Sequence, residues 1–370
     1  MKIAYVHTAP VPSPAANAVQ VARMCAAFSA EGVETCLVQP WGGGGDAGEI
    51  ASEYGLDTQF ETRKLPLLSV PGSKFLYGAL ASLLYGPGRE GVVYTRSVSV
   101  AAAACMLCQP VALEMHVSAA SLRPRLAKRL ECVIDSPYFV GMIAISGRLR
   151  DDFEKRYPAL DGQIIVAHDG AESAAEVPAE PLSGRFRVGY VGNLYPGKGM
   201  ELIAELVPLC PWATFHIVGG APDQVKVWRS ALANNRNIVF HGYVRHAETA
   251  AYLEGMEVVL APYQRVVRGV GGGSQNLADW MSPLKIFEYM ACGRAIIASD
   301  LEVLHEVLTH NQNALLCLPE EPAAWVVALK RLRDEEVFRS RIGLRAREDF
   351  QLNYTWEQRS RTILKMIDKV

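Results

Sequence analysis

The sequence predicts an α/β protein made of two doubly wound domains. Short apolar runs alternate with amphipathic helical patterns along nearly the whole chain, the composition breaks once between residues 170 and 184, and several runs close on glycine or histidine. Such alternation is the pattern of parallel sheets covered on both faces by helices.

In the first half, strands are predicted near residues 3–7, 34–38, 92–96, 112–116, 142–146 and 164–167. The helix between the first two is set by Val21, Met24, Cys25 and Phe28 at i, i+3, i+4 and i+7, and Gly32 closes it. Trp41 followed by Gly42, Gly43, Gly44 and Gly45 is too flexible for any element and predicts a loop after the second strand. From 170 to 184 the chain turns to Ala, Glu, Pro and Ser without apolar period, which reads as a linker. A second series follows, with strands near 187–191, 214–218, 238–240, 258–262, 295–298 and 314–318. Ligands of open sheets bind beyond the carboxyl ends of the strands, so two such domains predict a shared cleft and function in the loops after strands.

With 370 residues, half of them hydrophobic, the chain can bury a large core and is long enough for two domains. Most of its eight cysteines sit in apolar segments, as reduced core residues do, and Cys105-Met106-Leu107-Cys108 is a lone pair without redox or metal context. A net charge of −2 argues against nucleic acid as partner. The N-terminal segment reads directly as a strand, without cationic leader, and no apolar run reaches bilayer length, so a cytoplasmic chain is expected. Arg123-Pro124-Arg125-Leu126-Ala127-Lys128-Arg129-Leu130 mixes cations with leucines. It fits a solvated helix face or a peripheral contact with anionic lipid at the membrane's inner face.

The most informative stretch is Ser282-Pro283-Leu284-Lys285-Ile286-Phe287-Glu288-Tyr289-Met290-Ala291-Cys292-Gly293, a helix that begins at proline and ends at glycine. Its free N–H groups and positive end attract phosphate, Lys285 adds a full charge, and Glu288 can accept two hydrogen bonds from a ribose diol. A solvated Lys and Glu at an ordinary helix start is the plainer alternative. Gly192-Asn193-Leu194-Tyr195-Pro196-Gly197-Lys198-Gly199 follows the first strand of the second domain and allows a second diphosphate element, with Lys198 at the start of a helix. It matches neither the P-loop nor the GxGxxG spacing, and a βα turn with a surface lysine is its alternative. The strands ending at Gly219-Gly220 and at Gly242-Tyr243 leave backbone free to meet a flat base or a phosphate, and His116 closes a strand of the first domain toward the expected cleft.

Taken together, the order of these features resembles the retaining, nucleotide-sugar-dependent glycosyltransferases of family 4, which have the GT-B fold of two facing Rossmann-like domains. The resemblance covers nearly the whole chain: the Ser13-Pro14-Ala15-Ala16-Asn17 loop, Val93-Tyr94-Thr95-Arg96, Glu114-Met115-His116, Ile143-Ala144-Ile145-Ser146, the loop from Gly192 to Gly199, the block from Ser282 to Asp300, and Tyr354-Thr355-Trp356-Glu357. It implies an acceptor-side domain at 1–175, a nucleotide-sugar-binding domain at 185–350, and a last helix at 351–370 that returns to the first domain. Lys198 would hold the donor diphosphate with Lys285, Gly192, Asn193, Pro283 and Leu284 around it. Glu288 would bind the ribose, His116 would serve as the catalytic-side residue lining the sugar site, and Gly219 and Tyr243 would face the base.

Two positions depart from the family's pattern. Asn193 stands where an arginine is common, a loss that Lys285 can offset, since one charge-assisted bond contributes roughly 1.5 to 3 kcal/mol. Trp280 stands where a glutamate is common, which leaves Asp279 and Ser282 as candidates for the donor sugar, downstream of Gly269-Val270-Gly271-Gly272-Gly273. The expected function is transfer of a sugar from a UDP, GDP or ADP sugar to a hydroxyl of a glycan, lipid-linked or small-molecule acceptor, without metal or further cofactor. A sugar-nucleotide epimerase and a catalytically silent nucleotide-sugar-binding subunit stay open on sequence alone.

Overall fold

The computed structural model describes residues 1–13, 15–173, 177–268 and 276–369. Pro14 of the N-terminal loop, part of the expected linker at 174–176 and the glycine run at 269–273 therefore lie outside the described residues. The chain divides into two compact units, one of Met1–Asp169 with Trp356–Val370 and the other of Gly170–Thr355.

Unit 1 begins β1 (Lys2–Val6), α1 (Ala16–Ala30), β2 (Glu34–Pro40), α2 (Ala47–Tyr54), β3 (Glu61–Leu65), α3 (Ser73–Tyr85) and β4 (Gly91–Thr95). It continues with α4 (Val98–Met106), β5 (Val111–Met115), α5 (Pro124–Ile134), β6 (Phe139–Ala144), α6 (Gly147–Arg156) and β7 (Ile164–Val166). The strands form one parallel sheet in the order β3-β2-β1-β4-β5-β6-β7. In register, Ala4 of β1 lies beside Cys36 on β2 and Val93 on β4. The strand order reverses between β1 and β4, which makes the ends of those strands the place for ligands.

Unit 2 holds β8 (Arg187–Val191), α7 (Met200–Leu209), β9 (Thr214–Val218), α8 (Pro222–Ala231), β10 (Ile238–Gly242), α9 (Thr249–Glu254) and β11 (Val258–Ala261). After these come α10 (Leu284–Ala291), β12 (Ala295–Ser299), β13 (Leu315–Cys317), α11 (Pro322–Asp334) and α12 (Glu336–Asn353). Its parallel sheet runs β10-β9-β8-β11-β12-β13, with the reversal between β8 and β11. The last helix, α13 (Trp356–Ile367), belongs to unit 1, where it packs on α1 and β6.

The buried strands are the apolar runs of the sequence, since β5, β6 and β12 are buried at every position. One strand escapes that reading. β3 is Glu61-Thr62-Arg63-Lys64-Leu65, mostly exposed at the sheet edge, where charges suppress further pairing and hide the strand from an apolar search. The segment expected to be a loose linker is partly fixed: Ala171 N–H donates to Tyr354 O at 3.2 Å and Glu180 N–H to Ala251 O at 2.8 Å. The crossing back into unit 1 falls at Trp356, because α12 continues through Asn353 and stays with unit 2. Two helix ends follow local chemistry. Asp46 and Glu49 cap α2 reciprocally, and Gly55 ends it in the left-handed region. All eight cysteines are free, and most are buried or half-buried as their apolar segments predict, but Cys108 and Cys132 are exposed. Among the described residues no helix is long and apolar enough to cross a membrane.

Candidate functional site

In unit 2 the loop after β8 and the start of α10 are tied together by tyrosines. Val191 N–H donates to the Tyr289 hydroxyl at 2.9 Å, and the Tyr190 hydroxyl donates to Asn193 O at 2.7 Å. These bonds hold Gly192 and Asn193 against α10. Gly192 has φ +142°, and a Cβ built on it would stand 3.0 Å from Lys285 Nζ, so the ammonium lies on the backbone of the loop. Gly219, at φ +106°, meets the same turn, since its Cβ would run into the Gly192 carbonyl oxygen. The glycine at the end of β9 thereby lies beside the expected diphosphate loop.

Lys285 is 9% exposed, and its Nζ makes no hydrogen bond. It lies 3.7 Å from the Tyr190 ring centroid and 5.3 Å from that of Tyr263, and Lys198 Nζ is also 5.3 Å from the Tyr263 ring. A floor of two buried tyrosines thus carries two ammonium groups. Burial pushes Lys198 down to about 8. Burial and the like charge of Lys198 hold Lys285 well below the ordinary lysine value, against the pull of Glu288. Buried Lys285 beside half-buried Lys198, with Glu288 near but no hydrogen-bonded anion on Lys285 Nζ, is an unfavourable arrangement that an entering anion relieves. At the head of α10, Pro283 stands in the cap position without a side-chain cap bond, and half-buried Leu284 is the first helical residue. The first N–H groups of the helix therefore add to the same positive potential.

Glu288, on the next turn, accepts a hydrogen bond from His246 Nε2 at 2.9 Å and is 18% exposed. A carboxylate only accepts, so the imidazole hydrogen is on Nε2. His246 is a residue that sequence reasoning missed, because it lies 42 positions from its partner in a 3₁₀ turn of no special pattern. Tyr243 is 55% exposed just after β10. Ser282 is buried beside the cap proline. Asp279 is exposed, and Asn276 Nδ2 approaches it at 3.5 Å. No described contact joins Asp279 to the two lysines.

In unit 1, His116 follows β5 and belongs to a buried polar network. Its Nε2 donates to Glu114, which also accepts from Tyr94 and from Gln20 Nε2 at 2.6 Å. Arg359 of α13 completes the set at 3.0 Å from Glu114. Burial works against the charge on Glu114, yet Arg359, His116 and Arg96 hold it well below the usual carboxylate range. Burial and Arg96 push His116 down to about 4, against Glu114, so the imidazole is neutral near pH 7 with its Nδ1 lone pair free of a proton. Asp169, 3.8 Å from Arg359, is pushed up to about 7 by burial. Arg359 Nε also donates to His168 O at 2.9 Å. The last helix is thus bolted by one buried arginine to the strand end that carries His116. Among the described residues no cluster of His, Cys, Asp and Glu has the geometry of a metal site.

Residues 185–335 match the family described as Glycosyl transferases group 1. The phosphatidyl-myo-inositol mannosyltransferase of Mycolicibacterium smegmatis is 26% identical over 243 residues, covering 62% of this chain and 58% of that protein. The alpha-maltose-1-phosphate synthase of the same organism is 28% identical over 197 residues, 47% of each. The chain spans about half to three fifths of the length of these relatives. Among solved structures, Anabaena HepE in complex with UDP and glucose superposes with a TM-score of 0.75 at 14% identity over the whole of both chains. The sucrose-phosphate synthase of Thermosynechococcus elongatus gives 0.75 at 16%, covering 100% of this chain and 98% of the other. At these identities the likeness concerns the fold, which is GT-B.

Proposed function

We propose that the chain, whose residues 185–335 match the family described as Glycosyl transferases group 1, is a retaining glycosyltransferase using a nucleoside diphosphate sugar. The observation that carries this reading is the pair of buried Lys285 and half-buried Lys198 over Tyr190 and Tyr263, with no hydrogen-bonded anion on Lys285 Nζ. In the reaction the bond between the anomeric carbon and the diphosphate oxygen breaks, and a bond from the acceptor oxygen to that carbon forms. The acceptor hydroxyl loses its proton. The departing diphosphate gains negative charge, and two preplaced ammonium groups with the free N–H groups of α10 stabilise it most as it leaves.

Glu288, oriented by His246, is suited to the ribose hydroxyls, and the ends of β9 and β10 at Gly219 and Tyr243 to the base. His116 is assigned to the sugar side in unit 1, where a neutral ring with an open Nδ1 can accept a hydroxyl proton or hydrogen bond. Asp279 and Ser282 stay candidates for the donor sugar hydroxyls. The relative that is a mannosyltransferase, and the HepE structure with UDP and glucose, support a sugar nucleotide as the donor class. A thermal-shift series with UDP, GDP and ADP, and with their sugars, tests the assignment: one nucleotide should raise the melting temperature, since a ligand of the folded state stabilises it by mass action. No shift with any of them at millimolar concentration overturns it.

A further inference from the structure

The outer face of α12 is more apolar than the fold requires. Its inner face supplies Phe338, Ile342, Ala346 and Phe350 at i, i+4, i+8 and i+12, all buried. Gly343 on the same side brings the helix against the turn after α10, since a Cβ there would meet the Gly293 carbonyl oxygen. A surface helix whose core stripe is complete is expected to be polar elsewhere. On α12, however, Val337 is 85%, Leu344 59% and Leu352 71% exposed. Exposed apolar residues scattered singly need no explanation, but these three share one stripe. At 3.6 residues per turn, Val337, Arg341, Leu344, Glu348 and Leu352 lie within about 80° of one another around the helix.

The charges on that stripe are ordered as well. Val337, Arg341, Leu344 and Glu348 stand at i, i+4, i+7 and i+11, the spacing of a seam between two helices, with apolar and charged positions alternating. A single copy leaves these charges largely unused. Among the described residues Arg341 makes no ion pair and lies 5.1 Å from the Phe338 ring, while Glu348 reaches Arg345 at 4.0 Å and no other cation. Arg345 has a closer partner in Asp349, at 2.9 Å. Turned end for end about a point between Leu344 and Arg345, the stripe complements itself: Arg341 falls opposite Glu348, and Val337 opposite Leu352. At 1.5 Å per residue the two charges stand about 5 Å either side of that point, and the two apolar residues about 11 Å. Self-complementarity of this kind is what a two-fold contact between identical chains demands, and an unrelated partner does not demand it.

We propose that the outer face of α12 binds a second copy of this chain, helix antiparallel to helix about a two-fold axis beside Leu344. Arg341 of each copy pairs with Glu348 of the other, the two Leu344 side chains meet at the axis, and Val337 and Leu352 close the two ends of the seam. Eighteen residues make a helix about 27 Å long, so the contact is short and its dimer forms at micromolar rather than nanomolar concentration. The inference goes beyond the transferase reading and does not depend on it.

Sedimentation velocity of the full chain over about 1 to 200 μM reads the equilibrium between monomer and dimer, which shifts with concentration by mass action. Arg341→Glu and Glu348→Arg, each alone, bring like charges together twice across the axis, and each should weaken the dimer roughly tenfold or more. An equimolar mixture of these two variants should associate again, because the acidic stripe of one then faces the basic stripe of the other, and both exchanges in one chain should restore the dimer as well. Leu344→Ser, a variant without charge change, should weaken it too. All these positions are exposed, and circular dichroism checks that each variant keeps its helices. A chain that stays monomeric over the whole range overturns the proposal. So does a dimer that neither charge variant nor Leu344→Ser weakens, since it is then built on another face. A mixture of the two charge variants that associates no better than either alone also overturns it, since pairing of Arg341 with Glu348 across the axis requires the recovery.

Discussion

Replacing Lys285 by methionine separates what that residue does for folding from what it does for binding. In the folded chain its ammonium is buried, unbonded and next to Lys198, with the Tyr190 face as its compensation. A cation over an aromatic face contributes about 0.5 to 2 kcal/mol, whereas a buried polar group without a hydrogen bond costs about 1 to 3 kcal/mol in mutational data. Methionine keeps the length and the contact with the tyrosine floor while removing the second quantity. The ligand-free variant is therefore expected to melt at the same temperature or higher, by about 2 to 4 °C for each kcal/mol gained in a unit of this size. Its affinity for the nucleoside diphosphate should fall about 10- to 150-fold, the loss of one charge-assisted hydrogen bond of roughly 1.5 to 3 kcal/mol. Differential scanning fluorimetry without ligand and calorimetry with the responding nucleotide read the two effects apart. A variant that melts lower and binds the nucleotide as tightly as before refutes the reasoning, for Lys285 is then a packing residue and the pocket is no anion site.

Two further outcomes follow from the titrating groups. Lys198 in the free protein loses its proton near pH 8. A bound dianion raises that value, so above it binding must take up a proton, and affinity should fall by up to about tenfold per pH unit. Calorimetry across about pH 7 to 9.5 checks this, and a flat profile contradicts it. In unit 1, Arg359→Met removes the buried partner of Glu114 and should destabilise that unit by about 3 to 5 kcal/mol, with Glu114→Gln in the same chain recovering part of the loss. Urea unfolding measures both, and a midpoint for Arg359→Met equal to that of the unaltered chain removes the network from the account.

Much of the fold was legible because buried parallel strands leave unbroken apolar runs, as in Ala295 to Ser299. β3 was not, because an edge strand needs no apolar face and protects itself with Glu61, Arg63 and Lys64. Of the site, the helix that begins at Pro283 and the glycines of the β8 loop could be read from turn chemistry. The burial of Lys285 could not be read from its type, since lysine is nearly always exposed. A signal was present all the same: Ile286, Phe287, Tyr289 and Met290 leave α10 little polar face, which marks a helix buried on most sides. The tyrosine floor was hidden, since Tyr190 and Tyr263 look like ordinary core residues until their neighbours are known. The same holds for His246 with Glu288 and Arg359 with Glu114, pairs that only tertiary contact creates.

The two cationic places in the chain are built on opposite physical plans, and the difference bears on what the first is for. At buried Lys285 and half-buried Lys198 the charges are largely withdrawn from water in the free protein, so less desolvation remains when the diphosphate arrives and the interaction acts at lower dielectric. Such a site is suited to gripping a group whose charge changes during the reaction. At Lys74, Arg123 and Arg125 the charges stay exposed, where salt screens them and each contributes modestly.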